Sequence, residues 1–110
     1  NTEGEYNVAS GHSSLYDNTT GDRNQAFGYT ALYRNTSGSN NTATGYSALK
    51  LTTTGNGNVA AGYQALDTNT TGSNNTAIGH DADVGSGNLS NATAIGYGAT
   101  VIESNTMVLG

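Results

Sequence analysis

Asn24-Gln25-Ala26-Phe27-Gly28-Tyr29-Thr30-Ala31-Leu32 is followed, 17 residues on, by Asn41-Thr42-Ala43-Thr44-Gly45-Tyr46-Ser47-Ala48-Leu49. Moving outward from this pair, the glycine that closes Ala-x-Gly recurs at Gly11, Gly28, Gly45, Gly62, Gly79 and Gly96, always at a step of 17. Two residues before each anchor stands Ala9, Ala26, Ala43, Ala60, Ala77 or Ala94. A ring follows it: His12, Tyr29, Tyr46, Tyr63, His80, Tyr97. Three places after the anchor come Ser14, Ala31, Ala48, Ala65, Ala82 and Ala99. The next place holds Leu15, Leu32, Leu49 and Leu66, until Asp83 and Thr100 break the column. A second glycine stands ten residues past the anchor at Gly21, Gly38, Gly55 and Gly72. Such register separates the chain from a disordered one of equal polarity.

The composition agrees. Of 110 residues, 16 are Gly, 17 Thr, 15 Asn and 10 Ser, and only 34% are hydrophobic. Too few large apolar side chains are present to offset the entropy of ordering an ordinary globule. With no Cys, a disulfide scaffold and a cysteine-bound metal are excluded. No cofactor is expected. Eight acidic residues against three basic ones (Arg23, Arg34, Lys50) give a net charge of −5. That balance argues against nucleic acid and anionic membranes, both of which need a basic surface. No apolar run approaches the roughly 18 residues of a membrane span, and no signal peptide is visible. Residues 1–110 therefore read as a single repeat domain. Its missing Met start and mid-pattern ends suggest a piece of a longer fibre.

Seventeen residues cannot hold a helix pair, and Gly, Asn and Thr are poor helix formers. Two short apolar clusters per repeat, separated by turn residues, read as two short strands per coil. Successive coils would stack about 4.8 Å apart as parallel strands, which makes the fold class an all-β solenoid. Within a coil, Val8, Val59 and Met107 share a strand face with Phe27, Ile78, Ile95 and Leu109, and that face is expected to line the interior. The small Ala and Gly positions then form a flat outer face suited to packing against a copy. Leu sits five residues past the Phe/Ile position, so a bend near the anchor glycine is needed to return it to the same interior. The Asn-Thr-Thr-Gly segment supplies the second turn, with its glycine available for positive φ. Asn24, Asn41, Asn58 and Asn75, with Asn7 ahead of them, read as internal amide ladders.

Towards the C-terminus the register changes. Asn91-Ala92-Thr93-Ala94-Ile95-Gly96-Tyr97-Gly98-Ala99 and Ser104-Asn105-Thr106-Met107-Val108-Leu109-Gly110 match each other, with glycines 14 apart. These segments resemble head repeats of YadA-like trimeric autotransporter adhesins. The longer Asn-Thr-Ala-x-Gly-Tyr-x-Ala-Leu coils are similar to 17-residue variants in bacterial surface fibres and phage tail fibres. The resemblance spans essentially the whole chain. It implies a left-handed parallel β-roll, three of which associate side by side into a homotrimeric rod. It also implies a cell-surface or virion fibre that adheres to a host, matrix or neighbouring cell, glycans included. Neck, stalk and membrane anchor are not visible in this stretch. A thin coil and open solenoid ends independently favour self-association, as a trimer or an end-to-end filament.

Stacked repeats place equivalent residues in ladders, and these are the candidate binding residues. Thr19, Thr36, Thr53 and Thr70 form one, beside Thr20, Ser37, Thr54 and Thr71. Its hydroxyls read first as turn chemistry, and otherwise as a flat array for ice or as carriers of O-linked sugar. Tyr29, Tyr46, Tyr63 and Tyr97, with His12 and His80, form a ring ladder that either covers the roll or stacks on sugars. Seven Asn-x-Ser/Thr sequons stand at Asn18, Asn35, Asn40, Asn69, Asn74, Asn88 and Asn91. His80-Asp81-x-Asp83 is the one cluster resembling a cation or acid–base site, but neighbouring strand positions point apart, so it reads as a solvated loop. No serine lies in a nucleophile elbow, and an enzyme is not expected. The sequence thus leads to an adhesive fibre segment acting by multivalent binding. An ice- or crystal-surface binder and a tail-fibre shaft are the alternatives.

Overall fold

In the computed structural model all 110 residues, Asn1–Gly110, are described. The chain winds into a parallel β-solenoid without helices, 38 × 22 × 17 Å in extent. One strand per coil builds the main sheet: β1 (Val8–Ser10), β2 (Gln25–Phe27), β3 (Thr42–Thr44), β4 (Val59–Ala61), β5 (Thr76–Ile78), β7 (Thr93–Ile95) and β9 (Met107–Leu109). All pair in parallel, and Ala9, Ala26, Ala43, Ala60, Ala77, Ala94 and Val108 fall in one row. Two shorter strands, β6 (Asp83–Val84) and β8 (Thr100–Val101), form a separate two-stranded sheet.

The second strand expected in every coil is present only in those last coils. In the first four, Leu15, Leu32, Leu49 and Leu66 lie in a turn at φ 51–54°. A left-handed backbone at a bulky residue costs about 1–3 kcal/mol and persists only where its surroundings over-determine it. Here the surroundings are the interior: these leucines are buried with the alanines in one cluster.

The side-chain facing is the reverse of the sequence expectation. Along β2, Asn24 and Ala26 point inward, whereas Gln25 and Phe27 point outward. Phe27 is 40% exposed and Ile78 45%, while every alanine from Ala26 to Ala94 in that row is at most 1% exposed. Leu32 reaches the same interior as Ala26 across a turn, through positive φ at Gly28, Thr30 and Leu32. The small residues are needed inside, where the walls of a thin coil approach each other. Large apolar groups at Val8, Phe27, Val59, Ile78, Met107 and Leu109 are therefore left on the outer face of the main sheet.

Glycine has two separate reasons. Each anchor glycine sits at φ 121–136°, and a Cβ on Gly45 would meet the Gly62 carbonyl oxygen at 2.5 Å. Gly21, Gly38, Gly55 and Gly72 do not carry the positive φ expected of them. A Cβ there would instead clash with a carbonyl of the next coil. The positive φ of that turn falls two residues later, at Arg23, Asn40, Gly57 and Asn74.

Hydrogen bonding runs round the whole coil. Of 69 backbone bonds only 13 lie within strands, and most of the others join a turn to the neighbouring coil. The Thr53 carbonyl accepts three bonds, from the amides of Thr36, Ser37 and Gly38, and the Gly87 carbonyl does the same for Thr70, Thr71 and Gly72. The interior is closed by amide ladders. The amide nitrogens of Asn24, Asn41, Asn58, Asn75 and Ala92 each donate to the Oδ1 of the Asn one coil earlier. A second ladder holds Asn18, Asn35 and Asn69, with Thr52 standing where an Asn would complete it. Asn35 Oδ1 is consequently buried with no partner. All nine of these residues are at most 2% exposed, which a polar core can sustain because nearly every amide is satisfied.

Candidate functional site

No pocket opens in the solenoid, and its outer ladders are the candidate surfaces. Four such surfaces follow from the coil geometry.

The threonine ladder is spent on the fold. Thr19 Oγ1 donates to the Thr36 carbonyl at 3.1 Å and Thr36 to Thr53 at 3.2 Å. Thr53 donates to Thr70 at 3.4 Å and Thr70 to Gly87 at 3.1 Å. Their protons are thus committed one coil ahead, and Thr36, Thr53 and Thr70 are half-buried. Thr20, Ser37, Thr54 and Thr71 form the exposed column beside them.

The ring ladder is continuous. His12, Tyr29, Tyr46, Tyr63, His80 and Tyr97 stack with centroids 4.8–5.3 Å apart and planes within 23° of parallel. A second pair, Tyr16 and Tyr33, stacks at 5.3 Å and 7°. Strand spacing dictates this, because equivalent side chains of successive coils repeat at about that distance. Each inner ring turns its faces towards its neighbours. What the column offers outward is ring edges and phenol groups, not open faces for sugar stacking.

The sequons divide by burial. Asn18, Asn35 and Asn69 hold their amides inside the coil, where Nδ2 of each donates to the carbonyl of Gly21, Gly38 or Gly72. In the folded chain these three cannot carry a glycan. Asn40, Asn74 and Asn91 are exposed at φ 53–61°, and Asn88 is exposed in the variant turn. Those four are the accessible acceptors.

Around the register change the acidic residues gather. His80 Nδ1 lies 3.1 Å from Asp81 Oδ2, although alternation along a strand would separate them. The reason is local: Asp81 is at φ 57°, so the segment is a turn. Asp83 accepts from Thr68 Oγ1 at 2.6 Å and from the Val84 amide at 2.8 Å. Burial pushes its carboxyl above the usual carboxylate range, against the lowering effect of those bonds, and Asp81 adds to the rise. Asp67 is also raised, first by burial and then by the charge of Asp83, with Lys50 opposing. No three His, Asp or Glu side chains converge as metal ligands.

The fourth surface was missed from the sequence. Val8, Phe27, Val59, Ile78, Ile95, Met107 and Leu109 line the outer face of the main sheet, mixed with Gln25, Thr42, Thr44, Thr76 and Thr93. The signal for it was available: the intervening position is alanine in every coil from Ala9 to Ala94, while its neighbours range from Ser to Phe, as outward residues do. Ile78, Ile95 and Leu109 stand side by side in one column, and exposed apolar surface of this kind marks an interaction site.

No protein-family pattern, no curated protein and no solved structure matches the chain.

Proposed function

We propose that the chain is a structural and adhesive segment of an extracellular fibre, borne on a cell surface or a virion, whose coils form a left-handed roll. Three copies pack side by side through the outer face of the main sheet. The observation that carries this reading is the apolar run Ile78, Ile95 and Leu109 on that face, with Phe27 beyond Thr44 and Ala61, on strands whose interior is already filled by alanine or Val108. A monomer gains nothing by keeping such residues in water, whereas burial against a copy stabilises by about 25 cal/mol per Å² of apolar surface. The likeness of the coils to YadA-like adhesin heads supports the same arrangement. Adhesion then comes from many weak, equivalent contacts along the remaining ladders, with rod length and three-fold copy number raising the avidity. The partner is a host, matrix or neighbouring cell surface, glycans included; nucleic acid, cofactor and catalysis have no part in it.

The ice-surface alternative draws less support, because the Thr19, Thr36, Thr53 and Thr70 hydroxyls donate into the coil. A tail-fibre shaft uses the same rod and differs in what flanks it. Light scattering at several concentrations tests the assembly. A trimer is expected for the wild type and a monomer for Phe27→Asp combined with Ile78→Asp. A monodisperse wild-type monomer would overturn the trimer. Equal retention of trimer and monomer variant on a matrix-coated surface would overturn multivalent adhesion.

A further inference from the structure

The ring ladder joins successive coils through side chains that can be linked covalently, and the chain contains no cysteine to do so by disulfides. We propose that Tyr29, Tyr46 and Tyr63, and separately Tyr16 and Tyr33, are sites of oxidative tyrosine coupling that staples one coil to the next. Neither the adhesive reading nor the trimer is needed for it.

Three observations select these residues. Tyr29–Tyr46 and Tyr46–Tyr63 have ring centroids 5.1 and 5.2 Å apart, with planes 14° and 12° from parallel. All three rings are 42–46% exposed, so an oxidant reaches them and the rings have room to turn. Histidines bound the run: His12 stacks on Tyr29, and His80 separates Tyr63 from Tyr97. Imidazole does not take part in phenol–phenol coupling, so Tyr97 has no stacked partner to join. Tyr6 has Arg23 over its ring and no stacked tyrosine. Coupling is therefore confined by the fold to two columns.

The chemistry balances with a haem peroxidase and hydrogen peroxide as the oxidant. Each of two phenols gives one electron to the oxidant and its hydroxyl proton to water, leaving two phenoxyl radicals with spin at the ring carbons beside the oxygen. These carbons form a C–C bond. Their two hydrogens leave as protons while two others return to the oxygens, restoring two phenols. The peroxide takes two electrons and two protons and becomes two waters. Stacking supplies the proximity, since the second radical is held against the first and need not be met by diffusion.

The positions of Arg23, Arg34 and Lys50 make the test direct, because trypsin cuts the chain into residues 1–23, 24–34, 35–50 and 51–110. Dilute full-length protein is treated with a haem peroxidase and peroxide, and material of unchanged chain number is digested and weighed. Expected products join 24–34 to 35–50, 35–50 to 51–110, and 1–23 to 24–34, each lighter by two hydrogens. Tyr46→Phe preserves the stacked ring and the fold. It should lower the first two products by about tenfold or more while sparing the third. The oxidised wild type should also melt higher than the untreated protein, and oxidised Tyr46→Phe less so. Exclusive coupling between chains would overturn the proposal. So would an intramolecular pattern that persists in denaturant, or 35–50 products undiminished in Tyr46→Phe.

Discussion

The first four coils and the last two enclose the same kind of interior by different means. In the regular coils Leu15, Leu32, Leu49 and Leu66 reach inward from the fourth place after the anchor, and Tyr16, Tyr33, Lys50 and Asp67 at the fifth place point out. After Gly79 and Gly96 the roles exchange. Asp83 and Thr100 turn outward at the fourth place, while Val84 and Val101 are buried at the fifth. A slip of one residue has moved the core position to the other face, and the left-handed turn has become a strand pair. The interior volume is thus what the fold conserves. A β-branched residue suits an extended strand, whereas the unbranched Cβ of Leu tolerates the turn. The slip brings Asp83 outward, close to Asp81 and to Asp67, the last fifth-place residue of the regular coils.

Several substitutions would break or sharpen that contrast. The largest effect is expected at the anchors, which both regions share. Gly45→Val places a side chain at φ 131° and against the Gly62 carbonyl, so a loss of more than about 4 kcal/mol should appear in urea titrations. An unchanged midpoint would refute the close stacking of coils. Next comes the core position itself. Leu49→Ala should cost about 2–5 kcal/mol, and Val101→Ala less, since fewer methyl groups are removed. Equal costs would mean that the turn and the strand do not differ in how much interior they fill.

A gain is expected at Thr52. Asparagine there would donate Nδ2 to Asn35 Oδ1, the acceptor left unpaired, and continue the ladder through Asn69. Relief of one buried unsatisfied acceptor is worth about 1–3 kcal/mol, so Thr52→Asn should raise the melting temperature. A lower one would show that the coil has closed around the threonine.

The smallest effect is a pH dependence where the two regions meet. Asp67 and Asp83 have folded pKa values above the ordinary 3.8, so the folded state binds their protons more tightly than the unfolded chain does. Their contribution to stability is therefore fully present below about 3.8 and is lost as pH rises through the raised values. Asp83→Asn should flatten stability across that window. A slope equal to that of the wild type would remove Asp83 as the cause.

The period, the parallel stacking and the inward Asn column were legible because each depends only on which residue types recur at a fixed interval. The facing of the main sheet was not. Size suggested that Phe27 and Ile78 belong inside, and parity permitted either face once a bend was invoked. The constancy of Ala26, Ala43, Ala60, Ala77 and Ala94 was the better guide, because interior space is fixed and exterior space is not. Turn chemistry hid the rest. Nothing in the letters marks Leu32 for a left-handed backbone or Asp81 for a fold-back onto His80, since both are imposed by the stacking of whole coils. Among the candidate binding residues, the ladders could be counted from the sequence. Which of their atoms remain free could not, as the inward-donating Thr36 hydroxyl and the buried Asn35 amide show.

Because one coil bonds the next through equivalent donors and acceptors, the upper surface of a regular coil is the template for its lower one. A duplicated stretch of 17 codons would thus enter the rod without disturbing what lies on either side. Each insertion would add about 4.8 Å. Length in such a protein is a quantity that unequal recombination can set, coil by coil, while the fold stays the same.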